Sequence, residues 1–151
     1  MTDQAIVEYL PQYQWPVIHL IGRGLRDEQV IPESDEPIDD EDLYHIDQIY
    51  TSRSRFWVYL AGEQVIGTVA VLEMTPMTAQ LKCMFVLAAH HGQGVGQRLL
   101  DHALAFARAY DYAEIALTTH PRMKRAHRFY ERNGFQRTVT PGDLYAYRRD
   151  L

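Results

Sequence analysis

The sequence has a single cysteine, no long apolar run and no excess of basic charge, and each shortage excludes a class of protein. Because Cys83 has no second cysteine to pair with, an intrachain disulfide is impossible, which suits a reducing compartment. The first ten residues lack the basic start and apolar core of a signal peptide, and no stretch approaches the ~20 apolar residues of a membrane span. We therefore expect a cytoplasmic protein that does not enter a membrane.

Basic residues are outnumbered, with 15 Lys and Arg against 20 Asp and Glu and a net charge of −5. Binding to nucleic acid requires a positive field around the phosphates, so we do not expect a nucleic acid partner. One acidic segment contains no Lys or Arg and carries nine acids: Asp27, Glu28, Glu33, Asp35, Glu36, Asp39, Asp40, Glu41 and Asp42. Such a run is either a solvated loop or a rim that attracts a cationic substrate.

The chain length fits one domain, residues 1–151, because a typical domain holds ~100–200 residues. Runs of aromatic and β-branched residues predict strands, and apolar residues at helical spacing predict helices. The predicted order is β-α-α-β-β-β-α-β-α-β-β, with strands at Ala5–Tyr9, Arg55–Ala61, Val65–Met74, Gln80–Leu87, Glu114–Thr118, Phe135–Val139 and Leu144–Arg148, and helices at Trp15–Leu25, Asp40–Tyr50, Gly94–Tyr110 and from Pro121 to Asn133. This order indicates an α/β (α+β) domain with one mixed, largely antiparallel central sheet flanked by helices.

A glycine-rich loop between the strand Gln80–Leu87 and the following helix is the most specific feature, with Gly92, Gly94 and Gly96 at every second position. Glycine leaves the backbone bare, so successive N–H groups can converge on one anion, and the start of a helix favours negative charge. The loop therefore predicts a diphosphate site, with a simple tight turn as the alternative. Nucleotide P-loops end in Gly-Lys-Ser/Thr and dinucleotide fingerprints space their glycines differently, so neither matches.

Two motifs resemble the signatures of the GNAT superfamily of N-acetyltransferases. The loop is similar to motif A, Arg/Gln-x-x-Gly-x-Gly/Ala, in which Gly94 and Gly96 match and His91 stands where Arg or Gln is usual. Met123 occupies a position where many relatives carry Asn. The second signature, Ala-x-x-Phe/Leu-Tyr-x-x-x-Gly-Phe, is met in full by Ala126, Phe129, Tyr130, Gly134 and Phe135. The resemblance covers roughly residues 55 to 135.

The resemblance implies acetyl-CoA as co-substrate and a sheet whose strands splay apart at the acetyl-CoA site. It implies that pantetheine pairs with the backbone of Phe85, Val86 and Leu87, where an N–H stabilises the oxyanion of the thioester. The diphosphate is then expected on the loop residues His91, Gly92, Gln93, Gly94, Val95, Gly96 and Gln97. The acceptor is a small-molecule, amino acid or peptide amine, and a homodimer is a further expectation from the family.

The resemblance also assigns Tyr130 as the general acid that protonates the departing thiolate, whereas spacing alone makes it an aromatic on a buried helix face. Several relatives carry a Glu or His as general base early on the strand before motif A, where this chain has Gln80 and Lys82, neither of which is an obvious base. Glu73, at the end of the preceding strand, is our candidate for the general base, against the plainer interpretation of a surface acid. His120 and Tyr145 are further candidates.

The remaining reactive side chains indicate no second chemistry. His90 and His91 are adjacent but have no third ligand at a suitable spacing, so we expect no metal site. Cys83 lies within a strand and is interpreted as a small buried hydrophobe. The sequence thus predicts an acetyl-CoA-dependent N-acetyltransferase that acts by direct attack in a ternary complex. The alternatives are a non-catalytic acyl-CoA-binding regulatory module and an interaction protein that binds no CoA.

Overall fold

A seven-stranded sheet forms the centre of the computed structural model, which describes residues 3–140 and 142–151. Its strands are β1 Gln4–Glu8, β2 Arg55–Ala61, β3 Gln64–Glu73, β4 Thr78–Val86, β5 Glu114–Thr119, β6 Gln136–Thr138 and β7 Tyr145–Asp150. Their order across the sheet is β1-β2-β3-β4-β5-β7-β6. Only β4 and β5 run parallel, which confirms the predicted mixed, largely antiparallel sheet in the described part of the chain.

Helices cover both faces of this sheet. The α-helices are α1 Gln14–Asp27, α2 Ile46–Ile49, α3 Val95–Ala109 and α4 Lys124–Arg132, and short 3-10 turns occupy Pro11–Tyr13, Glu41–Tyr44 and Ala88–His90. Side chains alternate along β3, so that Val69 and Val71 pack with α3 and α4 while Ala70 packs with α1 and α2. The sheet therefore carries one apolar core on each face. Among the described residues, no helix has the length and apolar character needed to span a bilayer.

The two parallel strands pair over a short distance only. Their ladder runs from Thr78 opposite Glu114 to Gln80 opposite Ala116. Beyond it, β4 continues to Val86 and β5 to Thr119 without a shared ladder. The strands therefore splay apart, as the resemblance implied, and a cleft opens between them.

The stretch Asp40–Tyr50, predicted as one helix, is two short pieces, the 3-10 turn and α2. His45 lies between them with φ −136°, a value outside the helical range, so the helical hydrogen bonding is interrupted there. The carboxylate of Asp40 accepts the N–H of Asp42 over 3.2 Å and fixes the start of the 3-10 turn.

The helix predicted from Pro121 begins three residues later, at Lys124. The imidazole Nδ1 of His120 accepts the N–H of Arg122 over 3.1 Å, and the N–H of Met123 bonds to the His120 carbonyl. These local bonds hold residues 121–123 in a turn before the helix. The prediction that Pro121 is the first helical residue was therefore wrong.

Candidate functional site

A cleft of about 350 Å³ opens where β4 and β5 separate. Its lining comes from the end of β4, from the glycine loop with the first turn of α3, from α4 with the residue before it, and from the end of α1. The two sequence motifs, which lie about thirty residues apart, therefore meet in one cleft.

The glycine loop has a backbone that other residues would adopt only under strain. Gly92 has φ +77° and Gly94 has φ +80°, both in the left-handed region. Gly94 directly precedes α3, so the first amides of that helix have no carbonyl partner within it. Free N–H groups and the dipole of a 15-residue helix make this end of α3 suited to a phosphate.

Gly96 differs from the other two glycines because the fold does not require it. A Cβ added at Gly96 would lie 3.8 Å from Met84 Cε and 3.9 Å from the Phe129 ring, which are ordinary contacts. Gly96 also lines the cleft. The packing of the protein therefore does not explain the glycine at this position, and its role in binding a ligand stays a prediction.

The side chains of His91 and Arg98 hold the glycine loop in place by hydrogen bonds. His91 donates its Nε2–H to the carbonyl of Val86 over 2.8 Å, which ties the loop to the end of β4. Arg98 donates to the carbonyl of Gln93 over 3.1 Å and to the Tyr59 hydroxyl over 2.8 Å. His91 thus supports the loop shape at the position where relatives carry Arg or Gln.

Most of the predicted cofactor-binding residues line the cleft, namely Phe85, Val86, His91, Gly92, Gly94, Val95, Gly96 and Gln97. Leu87 and Gln93 are described by the structure but are not part of the lining. The N–H of Leu87 donates to the Ile66 carbonyl over 2.9 Å, so this amide is not free to pair with pantetheine.

A β-bulge sets the direction of β4 as it enters the cleft. Its pairing with β3 shifts by one residue, so that Cys83 and Met84 together face Val69. Cys83 has a left-handed φ of +53°, and the Thr68 hydroxyl donates to its carbonyl over 2.6 Å. Because a bulge bends its strand, β4 turns away from β5 and brings Met84 into the cleft lining. No glycine marks this bulge, so it could not be predicted from the strand pattern.

Tyr130 reaches the cleft from α4. The residue is 7% exposed, and its ring lies edge-on to Phe129 and Phe135 with centroids 5.5 Å away in each case. Burial raises the pKa of Tyr130 above its ordinary value of 10, so the phenol is protonated at neutral pH. Tyr130, with a protonated phenol, therefore belongs to the cleft lining, and its role as general acid stays a prediction.

Glu73, the candidate base, lies away from the cleft. Its carboxylate forms an ion pair with Arg53 at 2.5 Å, at the end of β3 that pairs with Ala79. The cleft end of β3 is near Gly67, which pairs with Val86. Six residues along a strand span roughly 20 Å. This position argues against Glu73 as a base and favours the plainer interpretation of a strand-end surface acid.

The other titratable candidates are engaged elsewhere. His120 and Tyr145 are not part of the cleft lining. The His120 imidazole accepts the N–H of Arg122 at Nδ1 over 3.1 Å, and the guanidinium of Arg137 stacks over the Tyr145 ring at 3.9 Å. Burial raises the pKa of Cys83 to about 11, so the thiol stays protonated. Within residues 3–140 and 142–151, no three His, Cys, Asp or Glu side chains are grouped closely enough to hold a metal ion.

Charged residues that the sequence analysis did not assign also line the cleft. Asp27 and Glu28 come from the end of α1, and Arg125 and Arg132 come from α4. The acidic segment begins at Asp27, so its first two residues were visible in the sequence, but their place beside the loop depends on how α1 packs. The two arginines lie seven residues apart, close to two helical turns, and so share one face of α4.

Comparison with known proteins points to one family. The model described as Acetyltransferase (GNAT) family matches residues 21–135. N-acetyltransferase 8B of Rattus norvegicus is 36% identical over 104 residues, which is 64% of this chain and 47% of that protein. N-acetyltransferase 8B of Homo sapiens is 35% identical over 104 residues, 64% of this chain and 46% of that protein. The chain spans about half the length of these mammalian relatives.

Solved structures share the fold over nearly the whole chain. An acetyltransferase from Streptococcus agalactiae is 28% identical with a TM-score of 0.87, covering 98% of both chains. An acetyltransferase of the GNAT family from Staphylococcus aureus is 25% identical with a TM-score of 0.87, covering 99% of both. The PaiA N-acetyltransferase from Thermoplasma acidophilum, solved in complex with coenzyme A, is 16% identical with a TM-score of 0.79 over 99% of both chains. That last likeness shows the fold alone.

Proposed function

Because the chain belongs to the acetyltransferase (GNAT) family, we propose that it transfers the acetyl group of acetyl-CoA to an amine. The observation that carries this proposal is the cleft, which joins the bare start of α3, an unpaired edge of β4 and the ring of Tyr130. Acetyl-CoA supplies the activated acetyl thioester. The chain supplies positioning of the two reactants and transfer of protons.

The amides at the start of α3 are proposed to bind the diphosphate of CoA. Gly92 and Gly94 set the left-handed turns that leave these N–H groups free, and Gly96 keeps side-chain atoms out of their way. Arg125 and Arg132 face the same cleft from α4. Their guanidinium groups are suited to hydrogen bonds with phosphate oxygens.

The edge of β4 from Met84 to Val86 is proposed to pair with pantetheine. This edge lies beyond the end of the β4–β5 ladder at Gln80, so it has no partner strand. An extended group that carries amides can add to such an edge as a strand does. An N–H of Phe85 or Val86 is then placed to stabilise negative charge on the carbonyl oxygen during attack.

Tyr130 is proposed to donate a hydrogen bond, and then its proton, to the departing sulfur. A thiol has an ordinary pKa of ~8.5 and a phenol one of ~10, and burial raises the phenol pKa further, so complete transfer is uphill. The contribution of Tyr130 is therefore largest while charge is growing on sulfur. A positioned general acid typically contributes ~10²–10⁴-fold to the rate.

The acceptor amine has to lose a proton before it attacks, because an alkyl amine with pKa ~10 is mostly protonated at neutral pH. Glu73 is too far from the cleft for this task. The titratable side chains in the lining, besides the two arginines and Tyr130, are Asp27, Glu28, His90 and His91. His91 is already held by its bond to the Val86 carbonyl.

Thiol release in the presence of acetyl-CoA and an amine tests the proposal. The panel contains amino acids, polyamines, aminoglycosides and peptides with free N-termini, and calorimetry with CoA runs in parallel. We expect release above the background of a Tyr130→Phe variant for at least one class of amine. CoA binding without release across the panel would indicate a binding module, and an absence of CoA binding would indicate an interaction protein.

The finer expectations remain proposals. We propose that residues 1–151 act as one domain, supported by the continuous sheet from β1 to β7. The small-molecule or peptide nature of the acceptor, a homodimer and a cytoplasmic location remain predictions. Size-exclusion chromatography with light scattering tests the homodimer directly.

A further inference from the structure

The cleft has two walls of opposite charge. Arg125 and Arg132 line it on the α4 side, and Asp27 and Glu28 line it at the end of α1. The phosphates of CoA are complementary to the arginines but not to the carboxylates. The acidic wall is instead complementary to a cationic group, and the acceptor of a transferase is the ligand that can carry one.

The acids of this wall occupy a helix end that disfavours them. Asp27 is the last residue of α1 and Glu28 is its C-cap, where the helix dipole already places partial negative charge. Asp27 is compensated by an ion pair with Arg23 at 3.0 Å. Glu28 is half-buried, and among residues 3–140 and 142–151 no ion pair or hydrogen bond engages its carboxylate. Its charge is therefore available to a cation in the cleft.

Packing of α1 holds Glu28 beside the reacting end of the cleft. Gly24, one helical turn earlier on the same face, lies so close to Phe85 that an added Cβ would be 2.6 Å from the ring. The proposed diphosphate site comes after β4 in the chain, close to the Val86 end of that strand. The distance from the diphosphate site therefore increases along the β4 edge from Val86 to Met84. Because Phe85 is on this edge, the acidic wall adjoins the thioester rather than the diphosphate.

We propose that Glu28 binds a second positive charge on the acceptor, so that the preferred acceptors are small alkyl diamines rather than simple monoamines. This inference rests on the proposed function. The reacting nitrogen has to be neutral to attack, and a carboxylate in contact with an ammonium group keeps it protonated. Glu28 therefore suits the non-reacting end of the acceptor, and it determines specificity rather than chemistry.

Three acceptors of equal length test the inference by their binding to the CoA-loaded protein. They are 1,4-diaminobutane, 4-aminobutan-1-ol and 4-aminobutanoate, which share one amino end and carry a positive, a neutral and a negative polar group at the far end. Calorimetry is expected to show the diamine binding about tenfold more tightly than the amino alcohol, with the carboxylate binding most weakly. In Glu28→Gln, the diamine and the amino alcohol are expected to bind within about twofold of each other.

Glu36→Gln is the matched control. It removes the same charge from the same acidic segment, but Glu36 lines a groove beside Trp15 and Ile38 rather than the cleft. We expect this variant to keep the wild-type preference for the diamine. An undiminished preference for the diamine in Glu28→Gln would overturn the inference. An equal loss of that preference in both variants would also overturn it, because the preference would then come from the electrostatic field of the whole acidic segment.

Thiol release with the same three compounds separates this inference from the proposed function. A diamine preference that depends on Glu28, with no release of thiol from these compounds or from the wider panel of amines, would refute acetyl transfer and leave the binding site standing. Release with all three acceptors and no preference by charge would refute the role of Glu28 and leave acetyl transfer standing.

Discussion

Replacing Gly96 with alanine separates what the fold needs from what a ligand needs. The added methyl group meets only Met84 and Phe129 side-chain atoms, at 3.8 and 3.9 Å, so it fits without repacking. In a helix interior, glycine is less favourable than alanine by ~0.8–1 kcal/mol, and at Gly96, the second residue of α3, the gain is at most this. For a chain of 151 residues, that limit corresponds to a Tm higher by at most ~2–4 °C.

The same substitution is expected to weaken CoA binding. A phosphate oxygen bound to the amides at the start of α3 lies ~2.9 Å from the nitrogen, so a methyl group on the cleft side of Gly96 displaces it. Loss of one hydrogen bond to a charged group corresponds to ~1.5–3 kcal/mol. We therefore expect the Kd for CoA to rise by ~10- to 100-fold.

Thermal denaturation and calorimetry with CoA measure the two effects in one preparation. Ala105→Gly, on the exposed face of the same helix, is the control, because it should lower Tm by ~2–4 °C and leave the Kd for CoA unchanged. A Gly96→Ala protein that binds CoA as tightly as the wild type would refute the placement of the diphosphate on these amides.

Three further substitutions test other parts of the account. Tyr130→Phe should lower kcat by ~10²-fold with an unchanged Kd for CoA, and because burial raises the pKa of Tyr130, the wild-type pH–rate profile should show no loss of this acid below pH ~10. Glu73→Gln should leave kcat within about twofold of wild type and reduce the unfolding free energy by at most ~1 kcal/mol in urea denaturation, since its ion pair with Arg53 is partly exposed. Gly67→Ala should destabilise the protein by ~1–3 kcal/mol, because its Cβ would be 2.9 Å from Leu99 Cδ1 and 3.2 Å from the Phe85 carbonyl.

Each of these expectations has a result that contradicts it. A wild-type kcat in Tyr130→Phe would refute the role of Tyr130 as general acid. A hundredfold loss of kcat in Glu73→Gln would restore that carboxylate as a base, and Glu63→Gln, an exposed acid in the turn between β2 and β3, provides the comparison. Unchanged stability in Gly67→Ala would contradict the close approach of Leu99 in α3 to Gly67 in β3.

Features that depend on local backbone shape could be predicted from the sequence. The alternating glycines allow left-handed backbone conformations at Gly92 and Gly94. Their spacing was therefore enough to predict a loop there and the start of α3 after it. The second motif likewise places Tyr130 on one face of a short helix. Both motifs lie in the cleft, although the sequence by itself gives no reason for them to meet there.

Features that depend on contacts between distant segments could not be predicted. The close approach of Gly24 to Phe85 places Glu28 in the cleft, although α2, β2 and β3 lie between α1 and β4 in the sequence. The bulge at Cys83 depends on pairing with β3 and on the Thr68 hydroxyl, neither of which a strand pattern contains. Glu73 ends its strand as predicted, but its distance from the cleft could not be predicted for the same reason, because the register of the sheet sets how far along a strand the cleft lies.

Amide chemical shifts of the ¹⁵N-labelled protein during titration with CoA test the central claim most directly. We predict saturable shifts that are largest at the N–H groups of Val95, Gly96 and Gln97 and along the β4 edge at Phe85 and Val86, with little change in β1 or β6. Saturable binding whose largest shifts lie outside the cleft, with the start of α3 unmoved, would contradict the account.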